Sequence, residues 1–333
     1  MGEHYSPYTI NIIPPDFYEK AGVKRTAKLV GILLCLYVAF RYAISFAFAF
    51  FYSAVLEVSP MFFTTAVGEI IYQIINIISY IIMVFAPFLV YAFLVKIPPK
   101  AALPFSRPRL SLILPAVPIT LGASVLGIMA ASILLTAFAS LGLNYNVSAD
   151  PTPNSPIAKV LYIISLSVLP AIFEEIACRG ILMQSLRRHG DSFALIVSSI
   201  VFSLLHGNFM QIPNAFVLGL VMGFFALRTN SLLTSMTMHF FNNFIITIID
   251  VFVTPNMSEM EQTLTTLALF GVYAILGILA LVFVLLKHKN IFSLERGYGV
   301  MKLSSKLGAF YSHPLIIVGT VIFVLMCCTF FFV

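Results

Sequence analysis

The chain has 333 residues, 60% of them hydrophobic and only 10% charged, with a net charge of +6. Soluble domains carry nearer about 25% charged residues, so a water-soluble enzyme or carrier is excluded. The basic excess is no nucleic-acid signature either, because the Lys and Arg residues fall between apolar blocks. Those blocks run to about 20 residues, the length that crosses about 30 Å of hydrocarbon as a helix. The predicted fold class is therefore all-α, a polytopic transmembrane helix bundle of about nine spans.

Residues 1–28 read as a polar cytoplasmic lead ending in Lys20, Lys24, Arg25 and Lys28, with no cleavable signal before the first span. Gly2 and Ser6 formally match a myristoylation pattern, but the pattern is short and a multi-span protein needs no lipid anchor. The first span is expected at 29–55, with Arg41 near its middle in a structural role. The second is expected at 70–95, with Glu69 near the interface and Pro87 inside. A basic, Pro-rich loop follows at 96–109. The third apolar stretch, 110–143, is overlong, and Pro115 and Pro118 predict that its first turns are bent or interfacial. A polar turn cluster at 144–156 holds an Asn146-Val147-Ser148 sequon, and Ser155-Pro156 is a helix start.

The fourth span, 157–186, carries Glu174, Glu175 and Arg179. Pro170 lacks an N–H, so it leaves the Leu166 carbonyl without its helical donor and should bend the helix beside the carboxylates. The fifth span, 192–210, contains His206. The sixth, 213–227, holds Gly219 and Gly223, a spacing that lets another helix approach closely. The seventh, 231–253, carries His239, Asn242 and Asn243. The eighth is expected at 264–286 and the ninth at 314–333. Four regions follow: the lead 1–28, N-terminal helices 29–156, a core 157–253 that holds the intramembrane polar residues, and C-terminal helices 254–333. With the N-terminus inside, sixteen of the nineteen Lys and Arg residues fall on the cytoplasmic side, as positive residues should.

Ionisable groups at membrane depth are expensive and mark a functional interior. Glu175 and Arg179 are spaced i,i+4 and can pair on one face, while Glu174 points about 100° away. His239 and Asn243 share the same spacing and can face one cleft. Chain counting allows Glu174, His206 and His239 to occupy one layer without proving it. The four cysteines, Cys35, Cys178, Cys327 and Cys328, lie in apolar spans and read as inert buried thiols.

Three ordered motifs carry a resemblance. Glu174 to Arg179 matches EExxxR, Phe202 to His206 matches FxxxH, and His239 to Asn243 matches HxxxN. The stretch 160–250 therefore resembles the CAAX-protease and bacteriocin-processing (Abi) family of intramembrane endopeptidases. The resemblance implies a peptide-bond hydrolase whose site lies in the membrane and opens to the cytoplasm. It implies Glu174 as the general base on water, His206 as a water-holding group, and His239 and Asn243 as oxyanion donors. Glu175 and Arg179 would fix the helix geometry. No cofactor is expected, although zinc stays open, with Glu174, His206 and His239 as its ligands. HExxH spacing is absent. A catalytically idle immunity or scaffold partner is the alternative, and a transporter would more naturally show repeats. The expected partners are a peptide or membrane-protein substrate and the lipid bilayer, with no nucleic acid. The expected location is the plasma membrane of a bacterium.

Overall fold

The computed structural model describes residues 15–147, 151–295, 297 and 299–332. The Gly2–Ser6 pattern, Ser148 of the sequon and Arg296 lie outside them. Among the described residues all regular structure is helical, apart from one isolated bridge between Phe105 and Ser231.

Helix α1 runs over Pro15–Val58, so the second half of the expected polar lead is already helix. Its buried Val23, Ala27, Val30 and Leu34 recur at helical spacing and tie it to the bundle from its first turns. Helix α2 is Ala66–Val95, capped by Thr65, whose side chain accepts from the Gly68 N–H at 3.0 Å. A short α3 (Pro99–Ala102) precedes α4 (Leu110–Ser140), which is one continuous helix through Pro115 and Pro118.

The fourth span, Pro156–His189, is built of unlike pieces. Helices α5 (Pro156–Ile163), α6 (Leu169–Glu175) and α7 (Met183–Leu186) are joined by π-helical turns at Ile164–Val168 and Ile176–Leu182. Ser155 does not cap α5 with its own side chain. Instead the Glu69 carboxylate on α2 accepts the Asn154 N–H at 3.0 Å and the Ser155 N–H at 2.7 Å. A carboxylate there complements the positive end of the helix.

Helices α8 (Asp191–Leu205), α9 (Ile212–Thr229), α10 (Leu232–Phe252) and α11 (Glu259–Lys287) follow. A capping box between Ser258 and Glu261 starts α11. Helix α12 (Leu303–Tyr311), which the sequence reading did not contain, leads into α13 (Pro314–Cys328).

Among the described residues eight helices are long and apolar enough to cross a membrane, one fewer than expected. The shortfall is α8, whose 15 residues extend only about 22 Å. Its path still runs from one end of the bundle to the other. At its start the Asp191 N–H donates to the Glu295 carbonyl at 3.1 Å. Just past its end the Phe209 N–H donates to the Tyr145 hydroxyl at 2.7 Å, and the Phe209 ring packs near Phe331. Phe193, Ala194, Val197, Val201 and Phe202 of α8 are all buried. A helix walled by protein meets little lipid, so bilayer thickness does not set its length. Against its far side lies α9. A Cβ on Gly219 would press on Ser199, and one on Gly223 on Leu195, which is the close approach the glycine spacing predicts.

The connections segregate by end. At one end Phe105 bridges Ser231, Arg228 Nη1 donates to the Ser293 carbonyl at 2.6 Å, and Lys306 Nζ meets Glu19 at 2.9 Å. At the other, the Asn146 N–H donates to the Phe330 carbonyl at 3.1 Å, and Tyr145 packs against Phe138, Phe209 and Phe331. The loops that carry the basic residues meet at the first end.

Candidate active site

The site starts from the proline in the fourth span. Pro170 opens α6 and has no N–H to offer the Leu166 carbonyl. That carbonyl is satisfied from another helix: Asn243 of α10 donates its Nδ2 to it at 3.0 Å. The neighbouring Asn242, buried, donates its amide to Asn243 Oδ1 at 3.0 Å and so orients it. A backbone defect in one helix thereby fixes the asparagine of the next.

Glu175, the last residue of α6, is fully buried. Its Oε1 meets Arg179 Nη1 at 3.0 Å and His239 Nδ1 at 2.9 Å. The i,i+4 pairing expected from the sequence is present even though a π-turn separates the two residues. An ionised carboxylate only accepts hydrogen bonds, so the His239 nitrogen facing it is assigned the proton. The Arg179 guanidinium also lies 4.0 Å over the Phe202 ring, and that contact offsets part of its desolvation. The Phe202 ring is edge-on to both His206 and His239, at 5.0 and 6.0 Å between centroids. The phenylalanine of the FxxxH motif is thus the wedge that spaces the two imidazoles and the arginine.

Glu174 faces a different environment. Its side chain keeps 16% exposure, against 0% for Glu175. Tyr80 of α2 donates its hydroxyl to Glu174 Oε1 at 2.7 Å. Glu174 Oε2 has no hydrogen-bond partner and lies 3.9 Å from His239 Nε2, too far for a direct bond. His206 is the residue at the C-terminal end of α8, not a residue within a span as expected. Its Nδ1 bonds to the Phe202 carbonyl at 3.0 Å, and it comes within electrostatic range of Glu174 and His239. Glu174 and His206 lie sixteen residues before and after Gly190, the turn between the two helices. The fold brings His206 near Glu174 and His239, a proximity that chain counting alone had left undecided.

Sequence reasoning missed the α1 and α2 contributions. Tyr80 sits in an apolar run with no motif around it. Tyr37 and Arg41 of α1 both reach the Leu205 carbonyl, at 3.2 and 3.4 Å, and so hold the end of α8 beside His206. Gly207 follows with φ +66°, and a Cβ there would press on Met326 and the Arg41 guanidinium. Arg41 thus meets a backbone carbonyl rather than a carboxylate. All four cysteines are free thiols. Among the described residues no group of three or more His, Cys, Asp and Glu side chains is arranged to hold a metal ion.

A carboxylate with a free oxygen, two imidazoles and an amide, carried by α6, the end of α8 and α10, give this polytopic membrane protein a polar interior. Residues 156–245 match the family model described as type II CAAX prenyl endopeptidase Rce1-like, so the central helices are similar to that family. The match covers the region that the three motifs single out and leaves α1, α2, α4 and α11 to α13 outside it. Comparison with curated proteins and with solved structures found no match to the chain.

Proposed function

We propose that this protein is an intramembrane endopeptidase that cleaves peptide bonds of prenylated or other membrane-associated substrates, using water activated by Glu174. The observation that carries the reading is the 3.9 Å gap between Glu174 Oε2, which has no hydrogen-bond partner, and His239 Nε2. A water bridging that gap would be within hydrogen-bond reach of both groups, the geometry a general base requires.

In this reading Glu174 Oε2 takes a proton from the water as its oxygen attacks the scissile carbonyl. The same proton then passes to the leaving amine nitrogen as the C–N bond breaks. Tyr80 holds the other carboxylate oxygen, so Oε2 is the one that turns to the water. His206 steadies the water from the end of α8. The developing oxyanion is met by His239, which Glu175 holds in place from behind at 2.9 Å, and by the second N–H of Asn243 Nδ2. Such donors act strongly where water is excluded. Glu175 and Arg179 are positioning residues, since they act through His239 and Phe202. The reaction so written is complete without a metal.

The test uses the purified full chain in detergent micelles with a farnesylated CaaX peptide and the same peptide unprenylated. Mass spectrometry reads new peptide termini. The wild type should cleave the prenylated peptide and Glu174→Gln should not. Absence of cleavage by a folded wild type, or equal cleavage by the variant, would overturn the proposal.

A further inference from the structure

Away from the polar interior, the end of the bundle that gathers the basic loops contains a cavity of about 660 Å³. Arg107, Arg109, Arg228, Lys287 and Lys289 line it, and no Asp or Glu does. Arg228 is fixed to the wall by bonds to the Ser293 and Asn290 carbonyls at 2.6 and 3.4 Å, and its Nε has no partner. Ile291 also lines a second space of about 670 Å³, a groove between α4, α9 and α11 with only apolar side chains and glycines around it. Leu112, Val284 and Ile291 pack together as the join between cavity and groove. At the far end α4 and α11 touch backbone to backbone at Gly122 and Gly277.

The groove is outward-facing. Leu126 and Ile278 along its rim are 64% and 61% exposed, and Phe292 at its mouth is 65% exposed. From Val284 to Ala274 it descends about 15 Å, half of a hydrocarbon core of about 30 Å and so one leaflet deep. A cationic cup at the headgroup level above an apolar trough one leaflet deep is complementary to one kind of molecule. We propose that this face binds an anionic glycerophospholipid, with its phosphate-bearing headgroup among the five cations and its acyl chains along the groove. A free anion would use the cup alone, and a zwitterionic lipid would leave the excess positive charge uncompensated. None of the residues around Glu174 and His239 lines either space, so the lipid site is independent of the proposed peptidase site.

The experiment is native mass spectrometry of the delipidated full chain in a neutral detergent. It is titrated with long-chain phosphatidylglycerol, long-chain phosphatidylcholine, dihexanoyl phosphatidylglycerol and glycerol 3-phosphate. We expect one saturable long-chain phosphatidylglycerol site, with phosphatidylcholine and the two short molecules binding at least about tenfold more weakly. The triple variant Arg107→Ala/Arg109→Ala/Lys289→Ala should lose on the order of a hundredfold in phosphatidylglycerol affinity. All three side chains are at the surface, and an unchanged melting temperature in lipid-free detergent would confirm folding. If that melting temperature falls, Lys289→Glu alone must still weaken phosphatidylglycerol and not phosphatidylcholine. Equal binding of the two long-chain lipids, or a charge-depleted protein that keeps its preference, would overturn the proposal. So would glycerol 3-phosphate binding as tightly as the lipid, since the groove would then contribute nothing.

Discussion

Glu174 and Glu175 are neighbours in the chain with opposite surroundings, and the difference sets what each substitution does. Glu174→Gln keeps shape and the Tyr80 bond but cannot take a proton. Turnover should fall about 10²–10⁴-fold, the usual contribution of general-base catalysis, with the melting temperature unchanged. Glu175→Gln leaves Arg179, at 1% exposure, without its counter-ion. Removing one partner of a buried pair costs about 3–5 kcal/mol, so this variant should melt markedly lower in detergent as well as turn over slowly. A folded, inactive Glu175→Gln beside an active Glu174→Gln would reverse the two roles. Tyr80→Phe removes one hydrogen bond to a charged group, worth about 1.5–3 kcal/mol. It should lower kcat about tenfold or more while leaving KM for the peptide near its wild-type value. A loss confined to KM would place Tyr80 in substrate binding instead.

At the scale of elements, the fourth span departs from a regular helix on both sides of the carboxylates, with π-turns before and after α6. Such turns are common at functional sites. Here the cause can be named: Pro170 withholds a donor and Asn243 supplies it from α10. Pro170→Ala restores a backbone N–H that competes for the Leu166 carbonyl and releases Asn243. Proline is disfavoured in a helix by about 3 kcal/mol relative to alanine, so the variant should not melt lower. Its turnover should nevertheless fall, by the tenfold or more that an oxyanion donor contributes. A variant that melts lower and turns over normally would mean the proline serves stability alone. The short α8 belongs to the same scale: buried among its neighbours, it ends where His206 is needed rather than where a bilayer would end it.

For the molecule as a whole, the two ends of the bundle are distinguished by charge, and orientation follows as a prediction from the positive-inside rule. Single cysteines at Asn144 and Asn256, both exposed at the end without basic loops, should react with an impermeant thiol reagent in intact cells. One at Ser106, exposed at the other end, should not. The converse labelling pattern would invert the protein in its membrane. Metal dependence is tested on the same whole protein. Thorough chelation of active enzyme should leave its rate nearly unchanged, and a rate abolished by chelation and restored by one equivalent of zinc would recast His206 and His239 as ligands.

What the sequence by itself determined is what periodicity and transfer free energy decide locally. Apolar blocks of bilayer length made the helices and their all-α class, and the loop charges sorted the ends. The spacings i,i+4 put Glu175 with Arg179, and EExxxR, FxxxH and HxxxN marked the stretch that the family match also covers. Only the tertiary structure decided what depends on groups far apart in the chain. It brought Tyr80 to Glu174, used Asn243 to repair the gap at Pro170, and set Phe202 between Arg179 and two imidazoles. It also brought His206 near Glu174 and shortened the fifth span to a buried helix. These contacts join residues separated by tens of positions with no local pattern linking them. Their geometry comes from how whole helices pack, which a one-dimensional hydrophobic period does not encode.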